Sequence, residues 1–247
     1  MKLHTLTIAL LAGLCLTFSQ VNADLVVDNF NRPDGPLTGT LPTPGPGGVW
    51  TNHSGTPGDL LISGGEAVIQ HGVPSEDTHT TFAGQTTGTL FASFDVRVED
   101  DAPIGGSDAE YFAHFMRDGS NVFRARLDVV AGTQGGDYTF GISSGNSTAE
   151  AIFATDFNFG DVVNVGLGFD LDTGIGSLTI GGTTINGTGI FLDQDLDSFA
   201  LRQSDSTNNE TIFIDNLVVT NLNAIPEPGS LGIIGLFGIA GMIRRRR

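Results

Sequence analysis

Few side chains in this 247-residue sequence combine the types and spacing that chemistry requires. Tyr111 and His114 stand three apart in one apolar stretch, and Arg124 and Arg126 occupy alternate positions in the next. The turn-forming Asp118-Gly119-Ser120-Asn121 between these stretches predicts a hairpin. Pairing the two strands would bring a phenol, an imidazole and two guanidinium groups to one face. Such a face can hydrogen-bond sugar hydroxyls or carboxylates, or move a proton beside them. The plainer expectation is that Arg124 and Arg126 pair with cross-strand acids such as Asp128 or Asp95.

Carboxylates are plentiful but poorly spaced for catalysis. Glu99-Asp100-Asp101 is a contiguous acidic run at a strand end, and Asp95 and Glu99 stand too loosely to form a dyad. Asp193-Gln194-Asp195-Leu196-Asp197 begins like a calcium loop. Ser198 replaces its glycine and Ser204 its bidentate glutamate, which excludes an EF-hand. Asp170 and Asp172 sit at a predicted turn, where Asp is ordinary. The five histidines show no zinc spacing. No glycine-rich loop opens a helix, so nucleotide binding has no support. Asn52, Asn146, Asn186 and Asn209 begin Asn-x-Ser/Thr triplets, which arise easily in so Ser/Thr-rich a chain.

The elements that must position these residues are strands. Leu90, Ala92, Phe94, Val96 and Val98 alternate with Phe91, Ser93, Asp95, Arg97 and Glu99, the pattern of a strand with one buried face. In the second arm of the Tyr111 hairpin, Phe123, Ala125, Leu127 and Val129 form the expected apolar face. Further strands are predicted over 25–30, 60–63, 66–70, 138–143, 151–155, 163–171, 177–180, 199–203 and 212–220. Gly64-Gly65 marks a second hairpin. Trp50, the only tryptophan, is placed at a core edge. About a dozen strands with no helical period predict an all-β domain of two packed antiparallel sheets. Nothing inside residues 24–222 reads as a linker or repeat.

The two ends are different. Lys2, the apolar run Leu6 to Phe18 and Val21-Asn22-Ala23 have the order of a signal peptide, with cleavage after Ala23. Cys15, the only cysteine, lies inside it, behind a Leu where a lipoprotein box needs a small residue. The exported part therefore has no disulfide and no thiolate metal site. Lys2 and Arg244 to Arg247 are five of the 11 basic residues, and Glu227 is one of the 28 acids. Residues 24–226 thus hold six arginines against 27 carboxylates, a net charge of −21. Nucleic acid and anionic membrane surfaces are therefore poor partners, whereas cations or neutral polysaccharide fit better.

Pro226-Glu227-Pro228 is held extended by its prolines. Leu231 to Ile243 is an uncharged apolar run with glycines at 232, 235, 238 and 241. As a helix it spans only ~20 Å of a ~30 Å hydrocarbon core. Arg244, Arg245, Arg246 and Arg247 form a cationic stop on the cytoplasmic side. Residues 225–247 resemble the PEP-CTERM sorting domain of Gram-negative bacteria. The resemblance implies transient membrane insertion through a short helix, cleavage by an exosortase-type protease after a signal peptidase has acted, and delivery to the cell surface or exopolysaccharide matrix.

Asp28-Asn29-Phe30-Asn31-Arg32 and Phe213-Ile214-Asp215-Asn216-Leu217-Val218-Val219 resemble the first and last strands of laminin-G-like, concanavalin-type jelly rolls. That resemblance implies a two-sheet sandwich with neighbouring terminal strands. It also implies one structural calcium site, onto which Asp28 and Asp215 map; no other cofactor is indicated. Glycosidases of this type carry Glu-x-Asp-x-x-Glu on one strand, giving nucleophile and acid their spacing. The sequence lacks it, though lyases on the same fold use Tyr, His and Arg. The reading that results is an exported, surface-sorted, non-catalytic protein with a carbohydrate-interaction or adhesion domain. A polysaccharide lyase or hydrolase and a purely structural matrix protein remain the alternatives.

Overall fold

Alternating apolar and polar side chains put one set on each side of an extended chain, and this pattern recurs from Asp24 to Asn221. The computed structural model describes residues 23–72, 74–100, 104, 111–192, 195–204 and 210–222. Residues 1–22 of the expected signal peptide, the Pro226-Glu227-Pro228 motif, the apolar run with its expected helix and the terminal arginines lie outside the described residues. The first eight strands are β1 (Asp24–Asp28), β2 (Gly35–Pro36), β3 (Thr51–Gly55), β4 (Leu61–Ser63), β5 (Glu66–Gln70), β6 (Glu76–Gln85), β7 (Thr89–Val98) and β8 (Tyr111–Met116). They are followed by β9 (Phe123–Ala131), β10 (Tyr138–Ser143), β11 (Ala151–Ile152), β12 (Val162–Asp170), β13 (Ile175–Ile180), β14 (Thr183–Asn186), β15 (Leu196–Arg202) and β16 (Thr211–Asn221). There is no helix among the described residues.

Two antiparallel sheets form. One runs β14-β13-β12-β7-β16-β5-β4-β2, and the other β11-β10-β9-β8-β15-β6-β3. Strand β16 is paired along its whole length by β7. On its other side β5 covers Thr211 to Ile214, and β1 covers Leu217 to Thr220. The first and last strands are therefore neighbours. A shift in register between Asp215 and Val218 separates the two halves, with Asn216 at φ 56°.

The sheets meet through their apolar faces. Phe94 of β7 touches Phe199 of β15 edge-on at 5.8 Å, and Phe199 meets Phe115 of β8 at 5.7 Å. All three rings are fully buried. Each contributes roughly 1.5–3 kcal/mol through burial. Gly64 and Gly65 turn the β4–β5 hairpin at φ 62° and 88°, which glycine adopts without a Cβ clash.

Trp50 is buried rather than at an edge, and its Nε1 donates to Asp28 Oδ2 at 2.7 Å. Strands β2, β3, β6 and β14 exceed the sequence-based expectation. Strand β6 matters most, because its Thr78 and Thr80 face a hydrogen-bonding loop instead of the core. Thr80 Oγ1 donates to the Gly48 carbonyl, and Thr78 Oγ1 lies 3.2 Å from Thr38 Oγ1. A strand lined this way shows no apolar stripe.

Candidate binding face

The seven-stranded sheet carries a cluster of aromatic and cationic side chains on its outer side. Register sets it up. His79 of β6 stands opposite Ala200 of β15, and Ala200 stands opposite His114 of β8. Ala200 is small, and the His53 ring from β3 lies 5.1 Å from His79 and 6.4 Å from His114. Three imidazoles from three strands thus meet. His79 Nε2 is 3.1 Å from Asp118 Oδ1, and its Nδ1 is 3.2 Å from His53 Nδ1. His114 is 1% exposed, and neither of its ring nitrogens has a hydrogen-bond partner.

Two irregularities on the β8–β9 pair turn additional groups outward. The register shifts twice, between Tyr111 and Ala113 and between Ala113 and Phe115, and Ala125 has φ 48°. Phe123, expected among the core-facing residues of its strand, is half-buried and packs 4.8 Å from His114. Tyr111 lies 5.2 Å from His114. The guanidinium groups of Arg126 and Arg202 each sit 4.5 Å from the Tyr111 ring centroid, and Arg126 also lies 5.5 Å from Phe123. Each stacked guanidinium gains about 0.5–2 kcal/mol from the ring quadrupole. Arg126 forms no ion pair among the described residues, and its Nε is buried without a partner. The pairing of Arg126 with Asp95 or Asp128 does not occur.

Of the expected residues, the structure brings together Tyr111, His114 and Arg126. Arg124 departs to stack on Phe191 at 4.6 Å. Phe191 belongs to a loop held by Glu150, whose Oε2 accepts from the Thr188 and Gly189 amides at 2.7 and 2.8 Å. Phe191 in turn donates its amide to the Gly174 carbonyl at 2.9 Å. Sequence reasoning did not single out His53, His79 or Arg202. Threonine-rich β6 hid His79, whereas Arg202 ended a strand that was expected, and its alternation with Ala200 was a usable signal.

Burial dominates the electrostatics. It lowers His53 to about 4, helped by the neighbouring His79. His114 falls well below the ordinary histidine range through burial, then through His53, Arg126 and Arg202. Burial raises Asp128 well above the carboxylate range against the opposing pull of Arg126 and Arg202. Both Asp128 oxygens lack partners. At neutral pH the arrangement therefore presents charged arginines over uncharged His53 and His114, with the buried Asp128 shifted toward its protonated form. Beside it opens a cleft of about 480 Å³, lined in part by His53, Ser54, Met116, Asn121 and Phe123.

The two aspartates assigned to calcium by resemblance have other surroundings. Asp28 is fully buried and accepts five hydrogen bonds. Arg32 supplies two of them, at 2.7 and 2.9 Å, and Trp50 a third. Asp215 accepts from the Asn216 amide at 2.7 Å. It is raised by burial and then by Glu66, Asp95 and Asp28. No group of three or more His, Cys, Asp or Glu suited to a metal ion occurs among the described residues.

An antiparallel two-sheet sandwich with neighbouring first and last strands defines the jelly-roll class of fold. The binding domain of botulinum neurotoxin DC, solved in complex with SialylT, has a similar fold, with a TM-score of 0.51 and 13% identity. The similarity covers 87% of this chain and 50% of that one. A Lotus tetragonolobus seed lectin aligns at TM-score 0.49 and 12% identity over 80% of this chain and 97% of its own. A sialidase aligns at 0.48 and 14% identity over 70% of this chain, which spans only 17% of the sialidase chain. No curated protein matches the sequence. Residues 224–247 match the PEP-CTERM protein-sorting motif. The chain carries that motif, which implies an exported protein processed by an exosortase and anchored at the surface of a Gram-negative cell.

Proposed function

We propose that the sandwich is a non-catalytic carbohydrate-interaction domain, displayed in the extracellular polysaccharide matrix after signal peptidase and exosortase processing. The observation that carries this reading is the outer face around Tyr111. A half-buried tyrosine ring with two stacked guanidinium groups adjoins a cleft lined in part by Ser54, Asp77 and Asn121. Aromatic rings pack against the apolar faces of sugars, and arginine forks donate to their hydroxyls and carboxylates. Fold similarity at this level of identity carries no ligand, so the reading rests on the face itself.

A glycan array probed with the full-length protein and with Tyr111→Ala/Arg126→Ala tests it. Binding that the double variant loses at unchanged melting temperature supports the assignment. Retained binding removes this face from the account. Incubation with the same glycans distinguishes the enzymatic alternative, since release of unsaturated or reducing-end products would mark a lyase or hydrolase. No glycan response at all would leave a purely structural matrix protein.

A further inference from the structure

The distribution of positive charge over the sandwich is uneven. Residues 24–226 hold only Arg32, Arg97, Arg117, Arg124, Arg126 and Arg202 as basic residues. Arg32 is consumed by Asp28 within the fold, and Arg97 by Glu66 and Glu99 on the other sheet. The remaining four lie on or beside the seven-stranded sheet, and three of them, Arg124, Arg126 and Arg202, lie on aromatic rings. The Arg126 side chain forms no hydrogen bond among the described residues, and that of Arg202 only a long one, 3.4 Å to the Tyr111 carbonyl. Among the described residues, these two neighbouring guanidinium groups thus have no carboxylate partner.

The surroundings keep them that way. Asp128, the nearest acid on the same strand, is buried with both oxygens unpartnered, and burial raises it well above the carboxylate range. It forms no ion pair with Arg126. His114 adds two buried ring nitrogens with no partner. Uncharged imidazole and carboxyl groups can each donate or accept, whereas the guanidinium forks only donate. A ligand complementary to the two forks supplies a planar anion.

We infer that the face selects a sugar carboxylate, and that it selects an isolated or terminal acid on an otherwise neutral glycan. The inference rests on the carbohydrate reading above and names its ligand chemistry. The isolated acid follows from the rest of the surface. Asp77 stands opposite Arg202 in the register, and the half-exposed Asp118 borders the cleft-side histidines. A uniformly charged polyuronate would bring its other carboxylates against this acidic surround and the domain's net charge of −21. Screening over about 8 Å at physiological ionic strength weakens that repulsion without removing it. One acid at the forks gains the short-range contacts and avoids most of the penalty.

The test uses three tetrasaccharides and the full-length protein in titration calorimetry. They are a neutral glucan ending in one glucuronic acid, its carboxyl-reduced counterpart, and an all-uronate chain. The single-acid glycan binds at least about tenfold more tightly than the reduced one, the scale of one charge-assisted hydrogen-bonded contact. It also outcompetes the all-uronate chain, by a margin that shrinks as salt rises. Arg126→Gln abolishes the preference and leaves residual affinity for the reduced glycan. Equal affinity for the acid and its reduced form overturns the carboxylate assignment while leaving carbohydrate binding intact. Failure of every glycan to bind overturns both. Tighter binding of the all-uronate chain overturns the isolated-acid selection.

Discussion

Acidification below the ordinary histidine range weakens this fold through His71, at the end of β5. His71 is 2% exposed, and its Nδ1 accepts the Ser204 amide at 2.9 Å across a sequence gap of 133 residues. The second proton of an imidazolium would sit on that nitrogen and face another donor. Burial, then the charge of Arg202, lowers the group from 6.5 to about 4. Between those values the unfolded chain binds a proton that the folded chain refuses, so stability falls as pH falls. The contribution is complete above pH 6.5, is lost on the way down, and is gone below about pH 4. Linkage gives a loss of about 2 kcal/mol between pH 7 and pH 5 from this group alone. His71→Asn isolates it, because the Asn carbonyl can accept the Ser204 amide and does not titrate. Urea unfolding of both proteins at pH 7 and pH 5 measures the difference. With a denaturant slope of about 2 kcal/mol/M, the parent midpoint drops about 1 M further than that of the variant. His53, His114 and Asp128 titrate in both proteins and cancel. Parallel losses in the two proteins would refute the argument.

Three further outcomes follow from buried contacts. Asp28→Ala strands the Arg32 guanidinium and the Trp50 indole and costs about 3–5 kcal/mol in equilibrium unfolding. Adding Arg32→Met removes the stranded charge and recovers about 2 kcal/mol, which a double-mutant cycle reads directly. Gly174→Ala costs on the order of 1–3 kcal/mol more than Gly181→Ala in the same assay. Both glycines have positive φ, but a Cβ at Gly174 would lie 2.5 Å from the Phe191 backbone, whereas Gly181 faces open space.

How much of this was legible depended on what each strand faces. The buried pattern of β7 alternates without a break, and the strand was predictable from Leu90 to Val98 alone. Strand β6 was not, because its buried positions are Glu76, Thr78, His79 and Thr80. Glu76 is satisfied by the amides of Gly58, Asp59 and Leu60, so burial there leaves no apolar signature. The candidate face was half visible for the same reason. Tyr111, His114 and Arg126 come from one predicted hairpin, whereas His53 and His79 come from β3 and β6, strands identified only in the structure. Arg124 and Phe123 exchanged expected roles because an irregular register and the left-handed Ala125 break the alternation that a sequence pattern assumes. Asp28 was singled out by resemblance alone. The residue is central, but its five donors make it a fastening for Arg32, Trp50 and two loop amides.

Strand β16 is the keystone, gripped by β1, β5 and β7, and it is synthesised last. Until it arrives, β1 has no hydrogen-bonded strand neighbour and β5 lacks one of its two flanks. A chain built this way completes this sheet only when its final strand is available, because contacts of such long sequence separation form late. The matched sorting motif begins at residue 224, directly after this closing strand ends at Asn221.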